Sequence, residues 1–355
     1  MKQTITLLLF LAANTTAVFA QKYSNEFLQI GIGARAQAMG HTGIALTNGA
    51  YSAYWNPAAL ANQTSEIELA AMHTEWFAGV GKYDYLGATY RRPESKHTFG
   101  ASLIRFGVDD IPNTLSLYDN DGNINIDNVV PFSAADYALI GSYARGTSIG
   151  AGQLNYGGNA KIIYRHIGSF AQSFGFGLDA GIQLKQKHWV LGLTGRDLTG
   201  TFNAWSFSLT PEEEAQLQAT ENSLPINSVE TTKPTLSLGV AYVADLGTDW
   251  TLQTELDLIA TTDGQRNTLI SADPVSLAPN VGIEATFRKM VSVRAGAHQW
   301  QRDSNLDGTT FWTATAAVGV GIKFRKWQLD YAFASPVANG DKAYTHVVSL
   351  AFALR

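Results

Sequence analysis

From about residue 66 to the C-terminal end, apolar residues of this chain recur at every second position, and that period constrains its fold more than any other feature. In "SFGFGLDAGIQLK", Phe174, Phe176, Leu178, Ala180, Ile182 and Leu184 share one face, against Ser173, Gly175, Gly177, Asp179, Gly181, Gln183 and Lys185. Leu154, Tyr156, Ala160, Ile162 and Tyr164 oppose Asn155, Asn159, Lys161 and Arg165 in the same way. So do Ala316, Val318, Val320, Ile322 and Phe324 against Thr315, Gly319, Gly321, Lys323 and Arg325. Alternation alone also suits a soluble sandwich with one wetted face. These runs are longer, however, at roughly 9 to 13 residues where soluble strands centre near 5 to 6. Their polar faces are charged or rich in glycine, as a hydrated lumen requires.

Counting by alternation gives about fourteen strands. Connections after even strands are mostly short, as at "QKH" after Lys185 and "ADLGT" after Val243, whereas those after odd strands are mostly long, at 109–134, 197–233, 260–279, 298–312 and 335–344. Short turns on one side and long loops on the other are the asymmetry of an outer-membrane barrel. Trp189, Trp250 and Trp327 each open a strand directly after a short turn, where indoles suit the membrane interface. The last strand, "THVVSLAFALR", turns Val348, Leu350, Phe352 and Leu354 one way and would close the barrel against the first, leaving no open edge. The expectation is an all-β fold: a transmembrane antiparallel β-barrel over residues 66–355.

Composition agrees. Only 15% of residues are charged, against roughly 25% in ordinary soluble domains. Residues 1–20 read as a secretory signal peptide, with Lys2, the apolar "ITLLLFLAA" and a small residue, Ala20, at the cleavage point. No cysteine is present, so neither a lipid anchor at the cleavage site nor a disulfide can form. After Gln21 no apolar run is long enough for a membrane helix. The net charge of −5, with no basic cluster, gives nucleic-acid binding no support. Together these features place the chain in the outer membrane of a Gram-negative cell, surrounded by its lipid.

Residues 21–65 precede the first strand. They are too apolar for a free tail and too glycine-rich for a stable helix, and a barrel of this size leaves a lumen its own side chains cannot fill. The segment is therefore expected to fold into the lumen as a plug, or hatch, with Asn56-Pro57 as a fixed turn and Trp55 filling the wall. Its sequence, "FLQIGIGARAQAMGHTGIALTNGAYSAYWNPAALA", resembles the N-terminal signature of the PorV/PorQ family of Bacteroidetes outer-membrane proteins, relatives of the FadL long-chain fatty acid transporters. The resemblance rests on Gly33-Ala34-Arg35, Met39-Gly40 and Trp55-Asn56-Pro57-Ala58, with "LGLTGRDL" (191–198) as a further similar strand. It implies a fourteen-stranded barrel with an N-terminal hatch, and a part in type IX secretion through contact with a translocon or exported cargo. The FadL relationship implies the alternative, transport of a hydrophobic small molecule.

Inward-facing charges are expected at Lys161, Arg165, Asp179, Lys185, Arg196, Glu255, Asp257, Glu284, Arg288, Arg294, Lys323, Arg325 and Asp330. They would brace a hydrated lumen, with Arg35 of the hatch pairing an acid such as Glu255 or Glu284. Among the external loops, "FNAWSFSL" (Phe202, Trp205, Phe207) with Phe311 and Trp312 offers either an apolar pocket or a docking face. "TPEEEAQLQA" carries a capping box at Thr210 and Glu213 with Pro211 at the first helical position, predicting a short helix in a long loop.

Other motifs carry little. "GIGARA" from Gly31 has the spacing of a dinucleotide fingerprint but no βαβ unit around it. "DSNLDG" sets Asp303, Asn305, Asp307 and Gly308 as in half a calcium loop, but its twelfth position is Ala314 and not Glu. It reads as a polar turn, as does "DNDGN" at 119–123. The seven histidines show no metal-ligand spacing and no G-x-S-x-G elbow is present. Neither an enzyme nor a cofactor-binding protein is indicated, and no metal is expected.

Overall fold

The computed structural model describes residues 24–47, 49–117, 123–220, 222–305, 307–336 and 344–354. The signal-peptide reading of residues 1–20, and most of the 119–123 turn, lie outside the described residues. The first strands are β1 (Ile67–Trp76), β2 (Gly81–Arg91), β3 (His97–Asn113), β4 (Val130–Ile149), β5 (Gly152–Ile167) and β6 (Ala171–Gln186). They continue with β7 (Trp189–Arg196), β8 (Thr201–Phe207), β9 (Ser228–Thr232), β10 (Thr235–Leu246) and β11 (Trp250–Thr261). The wall is completed by β12 (Ser276–Phe287), β13 (Val291–Ser304), β14 (Thr310–Phe324), β15 (Trp327–Pro336) and β16 (Thr345–Leu354).

All pairings are antiparallel between neighbours. β1 closes on β16 from Ile67↔Leu354 to Glu75↔His346, so no sheet edge is left unpaired there. Sixteen segments make a 14-strand barrel because two positions in the wall are each filled by two segments. β6 pairs with β7 over Ala180–Gln186 and with β8 over Ala171–Phe176; β10 and β9 line up against β7 and β8 in turn. The breaks fall at 197–200, where Asp197 and Gly200 have positive φ, and at Lys233-Pro234, where proline cannot donate to the ladder.

Alternation survives as burial. In β6, Ser173, Asp179 and Gln183 are buried in the lumen while Phe174, Phe176, Leu178 and Ile182 point out. In β14, Val318, Val320, Ile322 and Phe324 point out. Trp189, Trp250 and Trp327 are all outward at the short-turn rim, against Tyr242, Phe287 and Phe352. The short turns use left-handed residues, among them Gly150, Lys187, Gly247 and Arg325.

The external loops differ from the sequence reading. β3 runs on to Asn113 and β4 starts at Val130, β12 starts at Ser276, and β13 reaches Ser304 past a bulge between His298 and Gln301. Two parts of the span 197–233, β8 and β9, are wall and not loop. Strands that rise past the lipid have no apolar outer face to maintain, so period two fades before the hydrogen-bonded ladder does. The predicted helix is present at Pro211–Ala219, with both halves of its capping box made.

Candidate functional site

Residues 24–63 fold inside the barrel as short 3-10 turns and two small helices, Ala34–Ala38 and Ser52–Trp55. Their backbone lies directly on inward-facing glycines of the wall. A Cβ at Gly282 or Gly296 would strike the main chain of Met39 or Gly40. One at Gly192 would strike Ile44, one at Gly239 would strike Ile44 and Ala45, and one at Gly157 would strike Pro57. These inward-facing glycines are thus seats for the plug, whereas Gly175 and Gly177 face Asn203 and Thr201 of the wall. Gly40, at φ +66, is pressed from the plug side against the main chain of Ala297 and Val281; its left-handed backbone and lack of room both require glycine.

Asn56 is completely buried at the centre. Its Nδ2 donates to Ile44 O at 2.8 Å and to Ile182 O of β6 at 3.1 Å, and its Oδ1 accepts from Ala58 N at 3.1 Å. Asn56 is therefore at once the cap of the 3-10 helix Pro57–Asn62, with Pro57 at its first position, a tie within the plug and a tie to the wall. Trp55 lies in the plug's own core and also meets the wall, at β7. Its Nε1 donates to Ile32 O at 2.9 Å, its ring meets His41 edge-on, and Arg196 and Thr194 of β7 reach it from the barrel. Met39 and Ala58 are fully buried.

The inward charges fall into four groups. Arg35 forms a two-pronged pair with Glu284 of β12, Nε and Nη2 each 3.0 Å from a carboxylate oxygen, and also donates to Gln253 and to Leu46 O. Burial opposes its charge, but Glu284 more than offsets this and its pKa is raised. Glu284 is also held by Arg294, which reaches Asp330 at 2.8 Å. Glu255 accepts the Ala45 and Leu46 amides, at 2.7 and 3.2 Å. Asp257, two residues along β11, accepts those of Gly43 and Ile44, at 2.9 and 3.2 Å. Of the two acids proposed for Arg35, Glu284 is the partner; Glu255 instead captures backbone.

In the third group, Lys161 bridges Asp179 (2.8 Å) and Asp197 (2.6 Å) beside the break between β7 and β8. The fourth faces outward along the lumen. Arg196 donates to Tyr54 O and covers its ring, while Arg165 pairs with Asp136 and covers Trp205. Lys323 lines the short-turn end of the lumen with Asp330. Arg288 does not face the lumen: it sits in the turn after β12 at positive φ and pairs with Asp249 of the neighbouring turn between β10 and β11. Arg325 is likewise an exposed turn residue, over Phe324.

Sequence reasoning missed the uncharged members. Asn62, Asn155 and Gln183 form a chain of amides ending at Ala45 O (2.6 Å), and Asn159 reaches Ala53 O at 2.7 Å. Their only signal was an amide on an inward position with no charge to draw attention to it.

Above the plug an externally facing vestibule of about 620 Å³ is lined by Phe27, Trp76, Phe77 and Phe106 with Arg165, His41 and His298. The external aromatics proposed from sequence do not gather there. Phe202 points outward from β8 and Trp312 outward from β14, while Trp205 is buried inward with Phe207 beside it. A strand sends alternate residues to opposite faces, so these cannot form one pocket. The Asp303–Gly308 turn satisfies itself: Asp307 accepts from Thr309, Asn305 donates to Thr309, and Asp303 accepts from Thr313.

Residues 14–156 match a family model described as type IX secretion system protein PorV. No curated protein sequence matches the chain significantly. Among solved structures the chain is similar to the Pseudomonas putida toluene transporter TodX, at 13% identity and TM-score 0.54, over 91% of this chain and 98% of that one. It is also similar to the CymD monoaromatic hydrocarbon channel, at 12% identity and TM-score 0.57, over 94% and 99%. A Pseudomonas aeruginosa FadL homologue follows at 12% identity and TM-score 0.52, over 91% and 98%. At such identities the likeness is one of fold.

Proposed function

We infer that this chain, a PorV-family barrel of the FadL type, is an outer-membrane component of the type IX secretion pathway that receives or hands over exported proteins at the cell surface. The observation that carries this reading is the family match, which spans the whole plug and the wall from β1 into β5. The geometry supports it in two ways. The lumen is occupied by residues 24–63, seated backbone to backbone on the wall, so an exported chain is met outside the barrel and not threaded through it. Among the described residues, the six most exposed large apolar side chains are Ile226, Ile126, Val229, Val130, Ile124 and Val80. All six belong to the long-loop end, and apolar groups left in water at one end of a molecule suit a protein partner.

The test is complementation of a strain lacking the protein with Ile126→Glu/Ile226→Glu. Exported proteins should lose their surface attachment or accumulate inside, with barrel abundance in the outer membrane unchanged. Normal export would remove the docking face from consideration.

The aromatic lining of the vestibule favours a second reading, binding of a hydrophobic small molecule. TodX and CymD are named for such compounds. Below the vestibule, however, the route is polar: the cavity at the short-turn end is lined by Arg35, Glu284, Lys289, Arg294 and Asp330.

A further inference from the structure

We propose that Met72 is the seal of a latent hydrophilic conduit through the lumen, one that passes water, ions and small polar solutes when the Met72 side chain swings out from between Gly33 and Gln37. This function is separate from docking and does not rest on it. Two cavities approach the plug from opposite ends. From the short-turn side, a polar cavity of about 380 Å³ rises between β11 and β15 to Arg35, Gln328 and Asp330. Those three residues also border a chamber of about 30 Å³, enough for one water, that reaches Ile32, Gly33 and Ala36. From outside, the vestibule descends to Ile30, Gln37 and His41.

The two systems share no lining residue, yet Ala36 borders one and Gln37 the other. Between them stands the Met72 side chain of β1, 4% exposed and lining neither cavity. On the short-turn side its Sδ lies 2.9 Å from Gly33 N, and on the vestibule side it lies 4.0 Å from Gln37 Nε2. One side chain thus touches a residue bordering each cavity. A thioether is a weak acceptor and a flexible filler, so this contact parts more readily than the carboxylate clamps on β11 and β12. Carboxylates and an amide tie the plug at Glu255, Asp257, Glu284 and Asn56, whereas at Met72 the tie is a thioether contact.

The lining fixes the class of solute. The lower cavity carries Arg35, Lys289, Arg294 and Lys323 against Asp245, Glu284 and Asp330. Both signs in near balance stabilise water and small ions, and exclude an oily molecule from the final passage to the periplasm.

The experiment is current measurement on the purified full-length barrel in planar bilayers, parent against Met72→Ala and Met72→Leu. Met72→Ala joins the cavities and should raise the current roughly tenfold or more, while the volume-conserving Met72→Leu should stay at the parent level. A folded Met72→Ala barrel, identified by its heat-modifiable migration, that carries only the parent current overturns the proposal. A second measurement covers failure of that variant to fold. The chain lacks cysteine, so Gln328→Cys and Gln29→Cys report the lower cavity and the vestibule with a charged, membrane-impermeant thiol reagent. Gln328→Cys should react only from the periplasmic face and Gln29→Cys only from outside. Reaction of Gln328→Cys equally from both faces would show that no seal stands at Met72.

Discussion

Replacing Arg35 and replacing Glu284 should have unequal costs, although the two residues form one pair. Arg35→Gln removes the two charge-assisted bonds to Glu284 but strands no charge, because Glu284 keeps Arg294. Two such bonds in a largely buried site put the cost at about 2 kcal/mol. Glu284→Gln leaves the Arg35 guanidinium without its two-pronged carboxylate, hydrogen-bonded to Gln253 and Leu46 O, while Arg294 retains Asp330. A buried ion without its counter-ion costs about 4 kcal/mol. The assay is amide hydrogen exchange of residues 34–46 in the detergent-solubilised barrel, which reports local opening of the plug. At about 1.4 kcal/mol per tenfold, exchange should quicken roughly 30-fold in Arg35→Gln and roughly a thousandfold in Glu284→Gln. The double variant should show a coupling of about 2 kcal/mol. Exchanging the two charges is a poorer test, since an arginine at 284 would face Arg294. Equal acceleration by the two single variants would refute the reasoning.

Three further perturbations use the same exchange readout. Asn56→Ala removes three hydrogen bonds at a fully buried site and should cost about 3 kcal/mol; Asn56→Asp should be worse, because its carboxylate would face the Ile44 and Ile182 carbonyls, and a neutral Asn56→Asp would contradict the assignment. Gly40→Ala adds a Cβ against Ala297 and Val281 at φ +66; the left-handed backbone alone costs about 1–2 kcal/mol, so residues 36–44 should be displaced, and unchanged exchange there would show that the seat is loose. Burial lowers the His41 pKa from an ordinary 6.5 to about 4; a displaced plug therefore takes up the proton first, so this stability is whole above pH 6.5 and is lost as pH falls towards 4, by up to about 3 kcal/mol. Exchange should rise over that window and His41→Gln should flatten the rise, His298 stacked at 3.8 Å carrying any remainder; a rise unaltered in His41→Gln would contradict the assignment.

How much of this was legible in the sequence follows from which interactions are local. Phe174, Phe176 and Ile182 declared the lipid face of β6 by spacing alone, because a strand's two faces are written two residues apart. The capping box at Thr210 was legible for the same reason. The join of β7 to β8 was not: Gly200 and Pro234 mark chain breaks in any sequence, and only pairing with β6 shows the wall continuing beyond them. That misreading grouped Phe202 and Trp205 as one candidate pocket or docking face, when they point to opposite sides of the wall. Arg35 was recognisable as a buried cation, but choosing Glu284 over Glu255 needed a contact spanning 249 positions. Glu255 and Asp257 bind backbone amides, which leave no trace in residue identity. The glycine seats were visible as residues and invisible as seats, since what presses on them lies a hundred positions away or more.

The central claim is that this barrel meets proteins at the surface and does not carry an oily cargo through its lumen. The most direct measurement extracts the tagged protein from native outer membranes in mild detergent and identifies bound proteins and bound small molecules in the same sample by mass spectrometry. The account predicts stoichiometric recovery of a secretion translocon or exported cargo, lost in Ile126→Glu/Ile226→Glu. A lone barrel carrying a hydrophobic ligand, released on substitution of Phe27 or Phe106, would contradict it.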